Sequence, residues 1–145
     1  MLFASRPSCI KRLLIIEDDP LVAFDNERTL KHAGYDVVAT VDSGEAAVGI
    51  LAGEPLDAII LDLQLAGHMT GRDVARLARD RGIAVLLVTG KCPDDASDIA
   101  LACLDKPHGA SALLGAVHAI ETMLCKNKPP RKISGLQTYW QPKAA

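Results

Sequence analysis

Aromatic side chains are nearly missing from this 145-residue chain: two Phe, two Tyr and one Trp, only 3% of the total. A core must therefore come from Val, Ile, Leu and Ala, within an apolar fraction of 49%. That composition suits an α/β layered protein and excludes a disordered chain. No apolar run reaches the roughly 18 residues that a membrane span needs. The opening MLFASRPSCIKR lacks a sustained apolar stretch behind a basic start, so it does not read as a secretory signal. These absences lead to the expectation of a cytoplasmic protein without membrane insertion. Cysteine is sparse too. Cys9, Cys92, Cys103 and Cys125 form no CxxC pair and no Cys/His zinc spacing, so free, partly buried thiols are expected. Glycine-rich loops of the GxxxxGK[ST] or GxGxxG kind are also lacking, which argues against a bound nucleotide.

Charge is unevenly spread. The last 20 residues, KNKPPRKISGLQTYWQPKAA, hold five of the 16 Lys/Arg and none of the 18 Asp/Glu, so the preceding body carries a net −7. An acidic body is a poor partner for nucleic acid. The tail has three prolines and few apolar residues, and it is expected to be solvated and mobile, with Tyr139 and Trp140 as its only surface anchors. The length supports one domain. The expected layout is an N-terminal extension over 1–10, one folded domain over 11–126, and the basic tail over 127–145.

What is there is an alternation of short apolar runs and amphipathic stretches. RLLIIE (12–17), YDVVATV (35–41), LDAIILD (56–62), IAVLLVT (83–89) and LACLD (101–105) read as strands. Helices are expected from Pro20 to about Ala33, from Ser43 to Gly53, from Gly71 to Gly82, and over 109–126. Between the fourth and fifth strands, GKCPDDASDIA leaves room for a turn or two at most. Strands that read as continuous apolar runs between helices imply a parallel sheet covered on both faces. With right-handed crossovers the fold class is α/β, a doubly wound five-stranded parallel sheet.

Such sheets place their ligands beyond the carboxyl ends of the strands. Here those ends deliver Glu17 and Asp18, then Asp62, then Thr89, then Lys106. Clustered carboxylates raise one another's pKa unless a cation intervenes, and a hard divalent ion such as Mg²⁺ is the natural remedy. A hydroxyl and an ammonium suit phosphoryl oxygens.

LLIIEDDP, AIILDLQL, LLVTG and LDKP, in that order on a fivefold β-α chain, resemble the response-regulator receiver domain of two-component signalling. The resemblance implies a flavodoxin-like sheet of order 2-1-3-4-5. It implies that Asp62 accepts a phosphoryl group from a sensor histidine kinase or phosphotransfer protein. Asp18 would bind Mg²⁺ directly, Glu17 through water, and Gln64 through its main-chain carbonyl. Thr89 and Lys106 would contact the phosphoryl group, and the Lys106–Pro107 bond would be cis. The protein would then be a stand-alone signalling module rather than an enzyme, passing its state on by protein contacts.

Two departures stand out. Receivers usually carry Tyr or Phe two residues before the lysine, where this chain has Leu104. The interval from Thr89 to Lys106 is short, so a short or irregular fourth helix is expected. LLVTG is similar to a subgroup ending its fourth strand in Phe-Ala-Thr-Gly, with Leu87 and Val88 replacing the first two residues. Gln64 and Lys91 flank Asp62 and Thr89 as candidate tuners of hydrolysis, and His68 lies in the loop after Asp62. Two other readings remain open. One is a pseudo-receiver that binds partners without taking phosphate. The other is an aspartate-nucleophile phosphohydrolase, against which Gln64 stands where a second Asp belongs.

Overall fold

A computed structural model describes residues 9–143. Residues 1–8, most of the expected N-terminal extension, lie outside the described part. The first strand, β1 (Arg12–Ile16), leads into α1 (Pro20–His32), where Asp19 caps the helix and Pro20 fills its first turn. Next come β2 (Asp36–Val41), α2 (Gly44–Gly53) capped by Ser43, and β3 (Ala58–Leu61). α3 (Gly71–Asp80) starts on a reciprocal capping box between Thr70 and Asp73. β4 (Ala84–Thr89), a single 3₁₀ turn (Ala96–Asp98), β5 (Ala102–Asp105) and α4 (Ala110–Cys125) follow. The short interval after Thr89 therefore holds one 3₁₀ turn and no α-helix.

The sheet order is β2-β1-β3-β4-β5, all parallel, with a sixth strand beyond β5. Side chains alternate across the strands. Leu13, Ile15, Ile60, Leu86 and Leu104 pack with Leu30 of α1 and Leu113, Val117 and Ile120 of α4. Leu14, Ile16, Ile59, Leu61, Val85 and Leu87 pack with Ala47 and Leu51 of α2 and Val74 and Ala78 of α3. β3 and β4 are buried along their whole length, which makes them the rigid centre of the layer. No helix among the described residues is long and apolar enough to cross a membrane.

Two expectations are overturned. The tail is not simply solvated: β6 (Leu136–Thr138) pairs antiparallel with β5, Leu136 facing Leu104 and Thr138 facing Ala102. The open edge of β5 supplies the unpaired main-chain groups that this segment satisfies. Leu136 and Trp140 add apolar contact to one core cluster and Tyr139 to the other. The cysteines are not free thiols either, since Cys9 is bonded to Cys125 and Cys92 to Cys103. Sequence spacing says nothing about these pairs, which topology makes. α4 runs back against the strands, so its last residue meets the chain just before β1. The loop after β4 folds over β5.

Candidate functional site

Glu17, Asp62 and Lys106 each sit one position beyond a strand and Thr89 ends one, with backbone pairing continuing through them, while Asp18 lies two positions past β1 and Gln64 three past β3. The Glu17 N–H donates to the Val41 carbonyl at 2.9 Å, Asp62 N–H to Ile16 at 3.0 Å, and Lys106 N–H to Thr89 at 2.8 Å. In register, Ile16 lies beside Leu61, Leu61 beside Leu87, and Thr89 beside Asp105. The side chains that follow thus converge at one edge, set by the central sheet rather than by mobile loops. Glu17, Asp62 and Thr89 are 3%, 5% and 3% exposed, while Asp18 is open to solvent.

One cation ties the cluster together. Lys106 Nζ lies 2.5 Å from Glu17 Oε1 and 2.9 Å from Asp62 Oδ2. The second oxygen of Asp62 accepts from the Gln64 N–H at 3.0 Å, and Glu17 Oε2 accepts from the Asp19 N–H at 3.1 Å. Burial pushes Glu17 up to about 7, against the pull of its hydrogen bonds from Lys106 and the Asp19 N–H and with the help of neighbouring Asp62. Burial also works against the charge on Lys106, but its bonds to Glu17 and Asp62 prevail and hold it above its ordinary value. One carboxylate oxygen each from Glu17, Asp18 and Asp62 fall within 4.8 Å of one another. Three convergent carboxylates, two of them buried, are the donor set a hard divalent cation takes.

The surrounding loops are braced by residues that the sequence alone did not single out. Glu45 of α2 accepts from the main-chain N–H of His68 at 2.9 Å and of Met69 at 2.6 Å, bonds led by Met69 that hold its carboxyl below the usual range. His68 is therefore fastened through its backbone toward α2. Gly67, at φ +94°, makes the turn that allows this. Gly71 packs so tightly that a Cβ there would stand 2.6 Å from Leu63 Cα and 2.8 Å from the Asp62 carbonyl oxygen. Past the cis Lys106–Pro107 bond, His108 Nε2 donates to Asn26 Oδ1 of α1 at 2.8 Å, and both side chains are at least half-buried. Gln64 and Lys91 are exposed beside Asp62 and Thr89 in the chain. Polar residues mid-helix and acids at helix starts have ordinary surface roles, which is why Asn26 and Glu45 carried no signal.

A family model for the response regulator receiver domain matches residues 13–118, spanning every element of the site. The chain belongs to that family. Similar curated proteins include the DNA-binding response regulator MtrA of Mycolicibacterium smegmatis, 34% identical over 92 residues that cover 63% of this chain and 39% of that protein. Another is the transcriptional regulatory protein PdtaR of Mycobacterium tuberculosis, 30% identical over 113 residues, 74% of this chain and 55% of that one. The receiver chain thus spans roughly two-fifths to just over half the length of these relatives. Among solved structures, a CheY-like receiver domain from Methanospirillum hungatei superposes with a TM-score of 0.71 at 21% identity, over 82% of this chain and 99% of that one. A response regulator receiver protein from Sinorhizobium medicae gives 0.67 at 26% identity, over 78% and 95%. The flavodoxin-like fold is shared throughout, and receivers as a class are signalling modules that histidine kinases or phosphotransfer proteins phosphorylate at a Mg²⁺-binding acidic pocket.

Proposed function

We propose that this receiver takes a phosphoryl group onto Asp62 from a phosphohistidine and signals through protein contacts made by the altered surface. The observation that carries this reading is the placement of Asp62 Oδ2 2.9 Å from Lys106 Nζ, within a three-carboxylate cluster. Asp62 attacks phosphorus, the P–N bond breaks, and its electron pair returns to the donor imidazole. Such transfer asks a protein mainly for alignment and charge neutralisation. β3 supplies the alignment, since Asp62 follows directly on a strand buried along its length. Lys106 offsets the charge that collects on the transferred group. Glu17, Asp18, Asp62 and the Gln64 carbonyl would hold Mg²⁺, which supplies further neutralisation of the phosphoryl oxygens when bound. Thr89, at the end of β4, offers its hydroxyl to a phosphoryl oxygen, and that contact exists only in the phosphorylated state. Water attack at phosphorus returns the Asp62 carboxylate and phosphate, so the signal decays unaided.

The test is phosphotransfer from a phosphorylated kinase fragment or acetyl phosphate, followed by intact-protein mass spectrometry. Wild type should gain one phosphoryl group only with Mg²⁺, and Asp62→Asn should gain none. Equal labelling of both proteins would overturn the assignment.

A further inference from the structure

The Cys92–Cys103 bridge stands in an unusual place relative to the phosphoacceptor chemistry. Cys92 follows Thr89 by three residues and Cys103 precedes Lys106 by three. Cys92 thus follows the end of β4 at Thr89, and Cys103 lies on the strand that leads to Lys106, whose ammonium meets Asp62. Cys103 is fully buried in β5 and paired in register with Leu87. Cys92 is 6% exposed beneath a loop whose neighbours Gly90, Lys91, Asp94 and Asp95 are all exposed. The loop has a single 3₁₀ turn as regular structure, and the Cys92 N–H donates to Asp105 Oδ1 at 3.0 Å. The bridge is therefore the covalent fastening of a lightly structured loop to the centre of a rigid strand.

We propose that Cys92 and Cys103 form a reversible thiol–disulfide site that restrains the loop after Thr89 when bridged and frees it when reduced. The proposal rests on the phosphoacceptor reading of Asp62. A phosphoryl group on Asp62 adds oxygens that the buried Thr89 hydroxyl and the adjoining backbone must approach. Only Gly90 and Lys91 separate Thr89 from Cys92, so a Cys92 anchored to β5 limits that approach. Closing the bridge removes two protons and two electrons from the thiols, and a low-molecular-weight disulfide accepts them and becomes two thiols. A dithiol reverses the exchange. In a thiol-reducing compartment protein disulfides are transient, which suits exchange better than permanent stapling. Local opening of the exposed loop gives the reagent access to Cys92. The coupling is reciprocal: if reduction favours the phosphorylated arrangement, that arrangement must favour reduction by the same factor.

The experiment uses the full chain with Cys9→Ser and Cys125→Ser, so that only the inner pair remains. Beryllofluoride with Mg²⁺ serves as the phosphoryl probe, its affinity followed by NMR on bridged and dithiol-reduced protein. Wild-type chain in both redox states provides the same comparison without substitutions. Thiol state is read separately by differential alkylation and mass spectrometry against a graded dithiol/disulfide buffer. The expected result is at least fivefold tighter beryllofluoride binding to the reduced form, and an equal shift of the dithiol titration toward reduction when the probe is bound. Cys92→Ser should bind like the reduced form under all redox conditions. Equal affinities in the two redox states would overturn the restraint while leaving Asp62 as acceptor. Failure of both forms to bind the probe would overturn the acceptor reading and the restraint with it.

Discussion

Lys106 is one ammonium serving two buried carboxylates, and that ratio governs how the site answers to pH and to cations. Glu17 is held at about 7 against an ordinary 4.5, so folding favours its protonated form. The associated stability is full below about 4.5 and is lost as pH rises through about 7. Metal-free protein should therefore show a falling urea midpoint between pH 5 and pH 8, and Mg²⁺ should restore the midpoint most at the upper end. Below pH 7 Mg²⁺ must also displace a proton, so its affinity should rise from pH 6 to pH 8, measured by calorimetry in two buffers of different ionisation heat. Lys106→Met leaves two buried acids without their cation and should cost about 2 kcal/mol at pH 8 and less at pH 5. Equal losses at both pH values would show that packing of the lysine stem dominates. The candidate site's side chains were legible in the sequence because they gather at or just past the ends of apolar runs. Their supports were not. Asn26 meets His108 across 82 residues of chain, and no local pattern marks either partner.

The loop between β3 and α3 is positioned by close packing as much as by hydrogen bonds. Gly71→Ala must push Leu63 or the Asp62 carbonyl aside, since the contact at 2.6 Å is to backbone. We expect a loss of about 1–3 kcal/mol by urea denaturation and at least a tenfold slower phosphotransfer, whereas Gly49→Ala, inside α2 with nothing within 4 Å, should leave transfer unchanged and raise stability by about 0.5–1 kcal/mol. The other element to test is β6. Deleting residues 134–145 exposes the main-chain edge of β5 and part of the apolar surface that Leu136, Tyr139 and Trp140 cover. The truncated chain should be less stable by about 1–3 kcal/mol and should self-associate in sedimentation, because an uncovered edge invites pairing. The five parallel strands and their helices were readable from periodicity, caps and glycine stops. β6 was not, because a three-residue segment among prolines and basic residues has no strand pattern of its own. Its conformation is imposed by the edge it joins. The 3₁₀ turn differs in this respect, since the short interval after Thr89 did announce its brevity.

At the scale of the molecule, two covalent links divide their labour by position. Cys9–Cys125 closes a separation of 116 residues, from the approach to β1 to the end of the last helix. Such long closures chiefly restrict the unfolded chain, and Cys9→Ser with Cys125→Ser should lower unfolding free energy by about 2–4 kcal/mol without altering Mg²⁺ affinity. A change in Mg²⁺ affinity would mean that this link reaches the site. Disulfides were the largest gap between sequence and structure, since pairing depends on which chain ends the topology brings together. The antiparallel direction of β6 has one more consequence. It carries the chain away from the acidic edge, so Trp140 settles near Gly82, Ile83 and Leu124, where the strands begin. It is the sole tryptophan, half-buried, and its indole N–H has no hydrogen-bond partner among the described residues. Intrinsic fluorescence of this protein is thus an optical gauge of tail docking at the pole opposite the carboxylates, dark to events at Asp62 unless they are transmitted through the whole thickness of the sheet.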